Sequence, residues 1–91
     1  MVDRLYVHIE GRVQGVGFRY ATQREAMRRG LCGWVRNCRD GSVEAEFEGG
    51  KEDLLEMLEW CREGPSFAAV TRLDPRWEAG PPRHDAFYVR G

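Results

Sequence analysis

The chain has 91 residues, 42% hydrophobic and 32% charged, with a net charge of −1. That is enough for one domain, spanning 1–91, around a modest core, and it gives no general attraction to nucleic acid or anionic membranes. No apolar run reaches membrane-spanning length and the N-terminus MVDRLYVHIEG alternates too strictly for a signal peptide, so a cytoplasmic protein is expected.

Residues 4–13 read as a strand. Leu5, Val7 and Ile9 share one face, and Tyr6, His8 and Glu10 the other, where His8 is expected to be solvated. The glycine-rich stretch 11–17 interrupts this strand after Ile9. From Phe18 the period changes: Phe18, Ala21, Thr22 and Ala26 fall on one helical face, Gly30 suits the helix stop, and Leu31 can fold back on the last turn. Asp40-Gly41 marks a turn between two arms. The arm 33–39 mixes apolar and polar residues, whereas the second arm alternates Val43, Ala45 and Phe47 inward with Glu44, Glu46 and Glu48 outward. A second helix is predicted over 51–63, with Leu54, Leu55, Leu58 and Cys61 inward and Gly64-Pro65 as its stop. Ala68–Trp77 reads as a strand bent near Pro75, and the stretch AGPPRHD, with His84, as a loop. Phe87, Tyr88 and Val89 form a short last strand.

The order strand, helix, strand, strand, helix, strand is that of an α+β ferredoxin-like split β-α-β sandwich. It predicts an antiparallel sheet with two helices on one face. Many activities share that architecture, so the site must decide among them. The three cysteines, Cys32, Cys38 and Cys61, lack CxxC spacing. Neither a disulfide framework nor a metal site is expected from them.

The informative stretch is IEGRVQGVGFRY, with Gly11, Gly15 and Gly17 within seven residues. It fits neither phosphate-loop pattern: no Gly-Lys is present, and Tyr20 stands where the third glycine of G-x-G-x-x-G belongs. A glycine turn running straight into a helix can still converge free N–H groups on an anion. The amides of Gly15, Val16, Gly17, Phe18, Arg19 and Tyr20 are the candidates. Arg19 sits badly with the helix dipole unless an anion lies between the two, and a guanidinium grips phosphate bidentately. Asn37 is placed near the end of the second strand. If that strand runs beside the first, its amide can face the same loop. Alone, an asparagine there is ordinary turn chemistry.

Together these segments resemble the acylphosphatase family. Gly11-Arg12-Val13-Gln14-Gly15-Val16-Gly17-Phe18-Arg19 matches the family's first motif without a mismatch. Gly33-Trp34-Val35-Arg36-Asn37, with Gly41, Val43 and Gly49, matches its second. A monomer is expected from the chain's size, and the resemblance implies a small metal-independent hydrolase without cofactors. Its substrates would be acyl phosphates, with inorganic phosphate or sulfate as competing ligands. It further implies that Arg19 and the amides of residues 15–20 bind the phosphate and that Asn37 positions the attacking water. Two other classes compete. RNA-recognition domains share the strand order, but Glu44, Glu46 and Glu48 would repel RNA phosphates from the sheet face, so no nucleic-acid partner is expected. A silent ligand-binding domain of the same fold would not need both Arg19 and Asn37.

Overall fold

The computed structural model describes residues 1–91. Its elements are β1 (Val2–Arg12), α1 (Phe18–Arg28), β2 (Cys32–Asn37), β3 (Val43–Gly49), α2 (Lys51–Glu63), β4 (Ala69–Gly80) and β5 (Phe87–Arg90). The strand order is β4-β1-β3-β2-β5. Strand β1 runs antiparallel to β3 and β4, and β2 antiparallel to β3. This is the expected ferredoxin-like α+β arrangement. The sheet is mixed rather than wholly antiparallel, because β5 lies parallel to the free edge of β2. The second strand does not run beside the first: β3 separates β1 from β2.

The alternating apolar residues do what their period dictates. Leu5, Val7, Ile9, Val35, Val43, Ala45 and Phe47 point to one side of the sheet and are closed from water by Phe18 and Ala26 of α1 and by Leu54, Met57, Leu58 and Cys61 of α2. Leu55 was expected on this face but is 47% exposed. The buried stripe follows positions 54, 57, 58 and 61, and Met57 completes it. Cys61 is an interior thiol, pushed up to about 12 by burial and the nearby Glu25 charge, which removes it as a nucleophile. Helix α1 ends as expected. The Leu31 N–H reaches the Ala26 carbonyl and the Gly30 N–H the Met27 carbonyl, at 2.9 and 3.1 Å, with Gly30 at φ 71°.

Strand β1 does not stop at Ile9. It continues through Gly11, where the pairing with β4 shifts register. A Cβ on Gly11 would lie 2.2 Å from the Ala69 carbonyl oxygen. This first glycine therefore serves the sheet, letting β4 approach closely.

The other face of the sheet is polar. Strands β4 and β5 occupy opposite edges, so residues 81–86 must cross this face. Under that crossing lies a buried ion pair, Arg4 Nη2 to Glu48 Oε2 at 2.9 Å, with both side chains under 5% exposed. The Arg83 and His84 amides donate to the Glu48 carboxylate, and Arg4 also donates to the Pro81 carbonyl and to Glu78. Glu48, predicted outward, is thus outward from the core but shielded from water. His8 and His84 are not freely solvated either. His8 Nε2 lies 2.9 Å from Ser42 Oγ and His84 Nε2 lies 2.6 Å from Glu46 Oε2. Tyr6 donates to Glu44, and burial together with that carboxylate pushes its phenol up to about 12.

Candidate active site

The turn between β1 and α1 is built on two left-handed glycines, Gly15 at φ 75° and Gly17 at φ 78°. A Cβ at either would meet nothing within 4 Å, so these positions call for glycine by conformation and not by space. Gly17 caps α1, and its carbonyl accepts the Ala21 N–H at 3.0 Å. No acceptor within the chain takes the N–H groups of Gly15 through Tyr20, and six donors crowd one helix start. The contrast with α2 is informative. That helix carries Glu52 and Asp53 in its first turn, as the dipole favours. Helix α1 has no acidic residue there and places Arg19 at its second position. The arrangement is electrostatically complementary to an anion and to little else in the chain.

Arg19 is held from a distance. Its Nη1 donates to the Arg90 carbonyl at the end of β5, at 3.1 Å, and its guanidinium carbon lies 6.0 Å from the centre of the Tyr20 ring. Asn37 is the last residue of β2. It joins Val13, Gly15, Gly17, Phe18, Arg19 and Tyr20 around a small cavity of about 170 Å³. Of the residues expected from the sequence, Val16 does not line this cavity; its side chain packs against the core. No carboxylate and no imidazole is among the lining residues, so no side chain is placed there to act as a general base. A cluster of His8, Glu10 and Asp74, with ligand atoms within 4.8 Å of one another, lies apart from this cavity, and Arg72 already pairs with Asp74 at 3.0 Å.

Gln14 was not expected to contribute. Its Nε2 donates to the carbonyls of both Cys38 and Ser42, at 2.7 and 2.9 Å. The sequence offered only a faint signal, an amide side chain directly before the glycine turn.

The acylphosphatase family model matches residues 5–89. A curated acylphosphatase of Nitrobacter winogradskyi is 62% identical over 68 residues, which is 75% of this chain and 69% of that protein. One from Thermococcus kodakarensis is 49% identical over 82% of each chain. The crystal structure of acylphosphatase from Bacillus subtilis superposes with a TM-score of 0.94 at 37% identity, over 100% of both chains.

Proposed function

This chain belongs to the acylphosphatase family, hydrolases acting on acyl phosphates, and from that premise we propose the roles of its residues. The phosphoryl group of the substrate sits in the cradle of Gly15–Tyr20 amides and is gripped by Arg19. Asn37 hydrogen-bonds the attacking water and aims it at phosphorus. The observation that carries this reading is the single cavity shared by Arg19, Asn37 and the glycine turn, although Asn37 follows Arg19 by eighteen residues.

The chemistry needs little more. Water attacks phosphorus and the bond from phosphorus to the carboxyl oxygen breaks. The carboxylate leaves with the bonding electrons and needs no proton to do so. The proton lost by water ends on the phosphate product, and a phosphate oxygen is the acceptor, since the cavity lining offers neither carboxylate nor imidazole. Charge in such transition states is spread over the phosphoryl oxygens, so fixed N–H groups and a guanidinium supply the main stabilisation. Their alignment before the reaction supplies the rest. In this reading the enzyme works as a single domain, without metal or cofactor.

The test is hydrolysis of benzoyl phosphate by the purified protein with a chelator present. Release of inorganic phosphate well above buffer hydrolysis is expected. A rate no higher than buffer, or one that vanishes with the chelator, would overturn it.

A further inference from the structure

The two halves of the site stand on strands that share no hydrogen-bond ladder. The cradle follows β1 and Asn37 ends β2, and β3 lies between them. Pairing within the sheet therefore fixes Asn37 relative to β3, and β3 relative to β1. It does not fix the cradle, which begins beyond the end of β1. Some other contact must hold the loop at its distance from Asn37.

We infer that Gln14 is the positioning residue that sets this distance. It immediately precedes Gly15, the first residue of the cradle, and Cys38 immediately follows Asn37. Its one amide nitrogen donates to Cys38 O at 2.7 Å and to Ser42 O at 2.9 Å. Both N–H bonds of the side chain are thereby used, and the group is clamped across the two ends of the β2–β3 turn. The turn is itself closed by the Cys38 N–H on the Ser42 carbonyl at 2.8 Å and the Gly41 N–H on the Cys38 carbonyl at 3.2 Å. Gln14 therefore docks on a preformed platform. The residue type follows from the acceptors. Two carbonyl oxygens facing one side chain require a group with two donors on one atom and no negative charge. Glutamate would present oxygens to oxygens, and asparagine is one methylene too short to span the same gap.

The inference rests on the proposed role of Asn37, since a positioning residue needs something to position. Losing the clamp should cost little in phosphate binding, because the cradle keeps its glycine turn and its helix. It should cost kcat, because the water held by Asn37 no longer lines up with phosphorus. Misplacement by about 1 Å can cost as much as ~100-fold.

The experiment is a double-mutant cycle on benzoyl phosphate with Gln14→Met, Asn37→Ala and the pair. Inhibition by inorganic phosphate and thermal unfolding are followed in parallel. Gln14→Met is expected to lower kcat by about ten- to a hundredfold while the inhibition constant for phosphate stays within about threefold, a threshold set by ordinary non-additivity. In the Asn37→Ala background the same change is expected to have no further effect on kcat. An equal loss in both backgrounds would overturn the inference, as would parallel loss of phosphate binding or an unchanged kcat in Gln14→Met. If Asn37→Ala alone leaves kcat unchanged, the water-orienting role fails instead, and Gln14 is left with nothing to position. Should Gln14→Met not fold, hydrogen exchange on the unmutated chain decides. Both side-chain amide protons of Gln14 are expected to be protected, and rapid exchange would overturn the clamp.

Discussion

Arg19, in the first turn of α1, hydrogen-bonds through Nη1 to the backbone carbonyl of Arg90, the last residue of β5. The guanidinium is thus aimed by the far end of the chain, and its remaining N–H donors stay free for a ligand beside the cradle. An arginine steered in this way does not need a carboxylate partner, and no salt bridge to Arg19 is formed.

Arg19→Gln should remove phosphate binding and turnover together. Each lost charge-assisted bond is worth about 1.5–3 kcal/mol, so competition by inorganic phosphate against the residual benzoyl phosphate activity should weaken by about tenfold or more relative to the unmutated chain. Stability should change little, because the one internal bond lost is exposed. Retained competition with the wild-type inhibition constant would remove Arg19 from the site.

The glycines of the motif should separate by phenotype. Gly11→Ala would drive a Cβ against the backbone of β4, and the cost should appear in thermal unfolding. Gly15→Ala has open space around it but a left-handed φ of 75°. It should cost about 1–3 kcal/mol or relax by turning its peptide, which misdirects cradle N–H groups and lowers kcat/KM. Unfolding midpoints and kcat/KM measured side by side check the pair. The same phenotype for both would contradict the division of labour.

Acid should release the crossing segment 81–86. Burial works against the Glu48 carboxylate, but the Arg83 amide, the Arg4 guanidinium and the His84 amide outweigh it and hold Glu48 below the usual carboxylate range. Because the folded value is depressed, the contribution of Glu48 is fully present above the ordinary glutamate value of about 4.3. It is lost as pH falls through the lowered folded value. Denaturant midpoints should therefore drop in that acid window, and Glu48→Gln should flatten the drop. Arg4→Met leaves a buried carboxylate without its counter-ion. Its cost should lie toward the low end of about 3–5 kcal/mol, because the Arg83 and His84 amides remain on Glu48.

Much of this was legible in the sequence because the signals were local. The alternation of Leu5, Val7 and Ile9 and of Val43, Ala45 and Phe47 dictated the buried face, and Gly30 dictated the end of α1. What could not be read depends on contacts between distant segments. Gly11 stands in the sequence only as one of the glycines that interrupt the first strand, and the β4 backbone that presses against it is remote in the chain. His84 reads as a loop residue and Glu48 as an outward one, with no sign of the contacts they make, because nothing local says that β4 and β5 lie at opposite edges, which forces residues 81–86 across the sheet. Gln14 spans twenty-four residues to Cys38, and no periodicity marks such a contact. Asn37 lines the cavity, but its strand does not adjoin β1 as expected, because β3 lies between them.

The most direct measurement is the kinetic behaviour of Asn37→Ala, with kcat for benzoyl phosphate and the inhibition constant for inorganic phosphate determined on one folded preparation. A cradle that binds and an asparagine that orients water predict a kcat lower by about a hundredfold or more, with the phosphate inhibition constant nearly unchanged. A wild-type kcat, or a loss of phosphate binding that matches the loss of turnover, would contradict the account.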